Sequence, residues 1–92
     1  MTTESLVLEE TLAISEIETL YETLKCVVAT EQDLIIDATA VGSMDTASAQ
    51  LLVSCVRQLE ENGCAIQWIG ASEAFTKTAK LLNLEQWLQQ AA

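Results

Sequence analysis

The residues of this chain that could do chemistry gather in one short run, Ser43-Met44-Asp45-Thr46-Ala47-Ser48. It lies between the apolar segment Leu34-Ile35-Ile36 and a long stretch with one apolar face that continues to Asn62. An aspartate placed just before the first apolar-periodic residues predicts a helix N-cap at Asp45. Such a start presents unpaired backbone N–H groups and the positive end of a macrodipole. It can therefore hold a phosphate or a partner's carboxylate. Thr46, the first helical residue, is the candidate phosphoacceptor or docking contact. Ser48 falls on the apolar face, where modification would disrupt packing. Ser43 and Met44 are expected in the loop before the cap, with Met44 either stapled against the helix or offered to a partner. Asp37 ends the preceding strand and is expected to bond the loop amides of Thr39 to Val41, a structural role at the site.

The rest of the chain has little catalytic equipment. It contains no histidine, so no Ser-His or Cys-His pair can form. The three cysteines, Cys26, Cys55 and Cys64, lack metal-type spacing and are expected as free, small, buried thiols. No Gly-rich phosphate loop is present. The acidic residues are spread over expected helix surfaces. No enzyme activity, metal or cofactor is expected.

Fourteen acidic residues against four basic ones give a net charge of −10. Nucleic acid is an unfavourable partner, because phosphate contacts need clustered Lys and Arg. An anionic membrane surface would repel the chain for the same reason. A protein with a basic face would be attracted. No apolar run approaches the roughly 20 residues that span a bilayer. The start MTTESLVLEE lacks the basic and apolar stretches of a signal peptide, so a cytoplasmic location is expected.

The elements that must position the Asp45 turn follow from periodicity. Residues 5–9 and 11–14 read as short strands or a tight strand pair. Ser15 to Ala29 reads as a helix, with Ile17, Leu20, Tyr21, Leu24, Val27 and Val28 at three-and-four spacing. Ser15 and Glu18 fit a capping box. Asp33 to Val41 reads as a strand covered on both faces. Asp45 to Asn62 is a helix presenting Ser48, Leu51, Leu52, Cys55, Val56 and Leu59, with Gly63 as its stop. Ala65 to Ile69 is a strand and Ser72 to Leu82 a helix capped by Ser72. Leu84 to Gln90 is a final helix set off by Asn83. Trp68 is expected in the core. Trp87 either closes the core or serves as an anchor, and Lys77 and Lys80 are expected to be solvated. With no proline and only three glycines, no linker is visible, so residues 1–92 are expected to form one domain. The alternation implies an α/β fold, a mixed sheet of about four strands with helices mainly on one face. The outer face of the first strands is expected to be partly exposed, which could support a homodimer.

The run LIIDATAVGSMDTASAQLL, followed by RQLEENGCAIQWIGASEAFTKTAKLLNLEQWL, resembles the STAS domain of sulfate transporters and anti-sigma-factor antagonists. The resemblance covers about residues 5–90 and is most specific from Asp37 to Leu52. It implies a cytoplasmic, non-enzymatic module that docks a kinase or anti-sigma factor. In the antagonists the motif is Asp-Ser-Ser-Gly, and its second serine is phosphorylated. Without gaps, Asp45 falls on the Asp, Thr46 on the first Ser, Ala47 on the acceptor and Ser48 on the Gly. The usual acceptor hydroxyl is thus absent. Asp-Thr followed by a small residue is also similar to the STAS subunit of Mla-type phospholipid-transport ABC systems, whose Thr contributes to the ATPase contact. An adaptor in a chemosensory or two-component pathway is a further alternative. So is a small-molecule-binding domain, for which residues 5–14 are the expected reporters.

Overall fold

A computed structural model describes residues 3–88 of the chain. Strand β1 (Thr3–Val7) leads to β2 (Thr11–Leu12), a 3-10 turn at Ile14–Glu16 and helix α1 (Ile17–Thr30). Strand β3 (Asp33–Ala38), strand β4 (Ser43–Met44) and helix α2 (Thr46–Glu61) follow. Strand β5 (Ile66–Ala71) and helices α3 (Glu73–Leu81) and α4 (Glu85–Leu88) complete the described chain.

The expected α/β class is the observed one. Where about four strands in a mixed sheet were anticipated, the described residues form five, divided three and two, and each pairing is parallel. Strand β3 lies between β1 and β5, while β2 pairs with β4. The first two strands are therefore not partners of one another. Each pairs instead with a strand that follows α1 in sequence, β1 with β3 and β2 with β4.

Alternation along the three-stranded sheet fixes the core. Leu6, Leu34, Ile36, Ala38 and Trp68 are buried on one face, as the two-residue period of a strand requires. Against them pack Leu24 and Val27 of α1, Ala49, Leu52, Val53, Val56 and Leu59 of α2, and Phe75 and Ala79 of α3. The apolar face read for α2 is the buried one, with Leu51 half-buried at its margin. On the opposite sheet face Ser5, Val7, Gln67 and Ile69 are exposed, so β3 is covered on one side only. A bulge places Ile69 between the Ile36↔Trp68 and Asp37↔Gly70 pairs, which adds twist at this edge.

Helix ends show which local signals prevailed. Gly63, at φ 81°, terminates α2 as expected. Its N–H bonds Glu60 O at 3.0 Å and that of Cys64 bonds Leu59 O at 2.9 Å, the paired closure that satisfies the last carbonyls. Asn83, at φ 59°, closes α3 in the same way, with Leu84 N donating to Ala79 O at 2.8 Å. The Ser15–Glu18 capping box does not form. Glu16 occupies the N-cap position of α1 and makes no side-chain cap bond. Ser15 lies inside the 3-10 turn. The last helix spans Glu85–Leu88, and residues 89–90 of its expected range lie outside the described residues.

Candidate docking site

Asp45 has the extended backbone of an N-cap, φ −88° and ψ 172°. Its Oδ1 accepts from Ser48 N at 2.9 Å, which satisfies one of the orphan donors of α2. Its Oδ2 accepts from Ile14 N at 2.5 Å, across 31 positions of sequence. Its own N–H donates to Leu12 O at 2.9 Å. One carboxylate therefore holds the starts of two helical segments together. The bond from Ser48 N is the main cause that keeps the Asp45 carboxyl below its ordinary pKa; desolvation opposes it, and the Ser48 side chain and then Ile14 N add to the lowering.

The residues around this cap are differently exposed. Thr46 is exposed, Ala47 half-buried and Ser48 buried. Ser48 Oγ is a buried atom. Ser43 and Met44 form strand β4 rather than a loop. The parallel ladder pairs Thr11 with Ser43 and Leu12 with Met44, and Glu10 O takes the N–H groups of Gly42 and Ser43 at 2.6 and 3.1 Å. Ser43 is exposed, while Met44 is buried in the core cluster. The structure thus selects the packed reading of Met44. An isolated two-residue strand carries no periodicity, so its formation depends on a partner strand far away in sequence.

Asp37 lies upstream, near the end of strand β3. Its Oδ1 accepts from Thr39 N at 3.0 Å and from Thr39 Oγ1 at 2.5 Å. The hydroxyl bond is the larger cause that holds the Asp37 carboxyl below its ordinary pKa, followed by the amide bond. The expected bond to the Val41 amide is not made. Val41 N turns back to Ala38 O at 3.4 Å, because strand β3 ends at Ala38 instead of running to Val41.

Ser72 holds the same loop from the other side. As N-cap of α3 it accepts from Phe75 N at 3.0 Å, and its hydroxyl donates to Val41 O at 2.5 Å. Its backbone N–H donates to Ala38 O at 3.0 Å. The capping role was legible at Ser72, whereas the bond to Val41 was not, since no local pattern signals it. A close backbone approach adds to this scaffold: a Cβ on Gly70 would come within 2.8 Å of Thr39 Cγ2.

The remaining candidates lie elsewhere. Trp68 is buried and packs with Phe75, ring centroids 5.5 Å apart. Trp87 is half-buried under the Arg57 guanidinium, 5.4 Å from the ring centroid, which ties α4 to α2. Lys77 and Lys80 are exposed. Cys55 and Cys64 are buried and Cys26 exposed. Among the described residues no cluster of three or more Cys, Asp or Glu could hold a metal ion. None of the described helices is long and apolar enough to cross a membrane. What the arrangement offers is a turn tied down by the two bonds to the Asp45 carboxylate, with the Ser43 and Thr46 residues exposed.

Comparison with known families matches residues 2–90 to the family model described as "Mlab, STAS domain". No curated protein matches the chain.

Proposed function

The chain belongs to the STAS domain family, and from that premise we propose that it is a cytoplasmic, non-enzymatic docking module of the anti-sigma-factor-antagonist kind. It binds a regulatory kinase or anti-sigma factor through the helix start around Asp45 and Thr46. STAS domains are generally non-enzymatic regulatory modules. The observation that carries the reading is the contrast within one turn. Thr46 is exposed, while the neighbouring cap is fixed by bonds from Ser48 and Ile14. A rigid surface loses little freedom on binding, which favours affinity. A phosphate on Thr46 would add about −1.5 to −2 charge beside Asp45. On a chain of net charge −10 it would weaken docking to an acidic or apolar patch.

A second reading is favoured by two observations. The residue at the family's acceptor position is Ala47, and the matching model carries the description Mlab. In this reading the same turn is a permanent contact, and the partner is the ATPase of a phospholipid-transport ABC complex. Thr46 then contributes packing and a hydrogen bond and is never modified.

Phosphopeptide analysis of the protein from its native cell, run beside partner capture with Thr46→Ala and Thr46→Glu, tests both readings. Phosphate on Thr46, with partner loss in Thr46→Glu alone, supports the switched antagonist. Unmodified Thr46, with an ATPase and a permease recovered and both variants weakened, supports the transporter subunit. Equal partner binding by wild type and both variants removes Thr46 from either mechanism.

A further inference from the structure

Helices α1 and α2 pack against one another, and a groove of about 270 Å³ runs along their seam. Each helix lines it with residues at i, i+3, i+4 and i+7, starting from Tyr21 on α1 and from Leu51 on α2. That spacing keeps the lining on one face of each helix. Its floor is apolar, with Leu24 and Cys55 buried, Val28 and Leu51 half-buried and Tyr21 exposed at one side. Lys25 is the sole charged residue in the lining. The chain carries fourteen acidic residues and four basic ones, yet no carboxylate borders this groove. Lys25 Nζ lies 6.0 Å from the centroid of the Tyr21 ring, and among the described residues it joins no ion pair. Glu22, one turn before it on α1, is exposed and lies outside the lining.

The dimensions favour a small occupant. Two turns on each of two helices offer far less than the roughly 800 Å² per partner that stable protein interfaces bury. A second copy would set two Lys25 ammonium groups, and two chains of net charge −10, against each other. An engineered cavity of roughly 150 Å³ takes benzene, so a groove of this size holds about ten non-hydrogen atoms. The lining runs along the helices over a largely aliphatic floor, which suits an extended hydrocarbon chain. The single unpaired cation at its margin selects an anionic head. We propose that the α1–α2 groove binds a medium-chain aliphatic carboxylate of about eight carbons. Its hydrocarbon lies against Leu24, Val28 and Leu51, and its carboxylate meets Lys25. The site is more than a turn along α2 from Thr46 and does not depend on which protein docks there.

The test is a ¹H–¹⁵N and methyl NMR titration of the full chain with octanoate. Octylamine (a cation), 1-octanol (no charge) and butyrate (a short anion) serve as comparison probes. A ligand this small binds weakly, so the titration runs into the millimolar range. Octanoate is expected to shift the Tyr21, Leu24, Val28 and Leu51 signals, and to bind more tightly than octylamine or butyrate. Lys25 is exposed, so its attraction is partly screened. Lys25→Gln is therefore expected to weaken octanoate about 2- to 5-fold and to leave 1-octanol unchanged. Ser54 is exposed and lines the groove, so Ser54→Glu keeps the helix while placing a carboxylate in the site. That variant is expected to bind octanoate more weakly than wild type and octylamine more tightly. Groove signals that no probe moves overturn the proposal. So does octylamine binding as tightly as octanoate to wild type, or an octanoate affinity unchanged in Lys25→Gln. Groove signals that move with protein concentration alone would give the seam to a second copy and overturn it as well.

Discussion

Replacing Ser72 with alanine removes two interactions at once. One is the N-cap bond from Phe75 N at 3.0 Å, and the other is the bond from Ser72 Oγ to Val41 O at 2.5 Å. Loss of a serine cap costs about 1 kcal/mol. Loss of a hydrogen bond to the carbonyl of the buried Val41 costs about 1 kcal/mol more. The sum, about 2 kcal/mol, lowers the melting temperature of a chain this size by about 10 °C. It lowers the urea midpoint by about 1–2 M. Ser72→Asp separates the two effects, because a carboxylate caps as well as serine but cannot donate to Val41. It should therefore lose about half as much, or slightly more where the two oxygens repel. Urea unfolding followed by tryptophan fluorescence measures the stabilities. Hydrogen exchange of the Thr39–Val41 amides should accelerate in both variants, as the loop loses its tie to α3. The reasoning fails if Ser72→Ala stays within about 0.5 kcal/mol of wild type, below the lower end for a cap alone, or if Ser72→Asp matches wild type.

Three further outcomes follow from the same geometry. Gly70→Ala brings a Cβ within 2.8 Å of Thr39 Cγ2 and should cost about 1–2 kcal/mol; Thr39→Ser in that background removes the methyl, keeps the hydroxyl for Asp37, and should recover most of it in urea titrations. Asp37 and Asp45 both have carboxyls below their ordinary value of 3.8, so their contribution is present above that pH and lost as pH falls through the lowered values. Acid titrations of Asp37→Asn and Asp45→Asn should each show a shallower stability loss below pH 3.8 than wild type, and an unchanged slope would contradict the bonding described. Burial raises the Cys55 thiol to about 11 while Cys26 is exposed, so alkylation near pH 8 should label Cys26 rapidly in the folded chain and Cys55 only on unfolding.

The parts of the fold that could be read from the sequence are those whose cause is local. The apolar face of α2, its Asp45 cap and its Gly63 stop depend on residues within a few positions of one another. The Ser72 cap and the Asn83 break are of the same kind. What escaped the sequence is non-local. The Ser15–Glu18 box yields to a 3-10 turn in which the Ile14 N–H is taken by Asp45, from the other side of α1 and β3. Strand β4 exists because Thr11 and Leu12 lie beside it. Met44 was ambiguous for that reason, since its burial follows from the strand and not from its neighbours. Glu31 adopts a left-handed conformation at φ 53° to end α1, a role its residue type does not advertise. At the docking turn the sequence located the cap and the hydroxyl. The second bond of Asp45 required the fold.

The most direct test of the docking account is affinity capture from the native cell with wild type, Thr46→Glu and a Lys80→Glu control on α3, each first checked by circular dichroism. Glutamate is favourable in the first turn of a helix, so Thr46→Glu should keep the fold. The account predicts a protein partner that wild type and the Lys80→Glu control retain and that Thr46→Glu loses. Recovery of the same partner in equal amount by folded Thr46→Glu would contradict it.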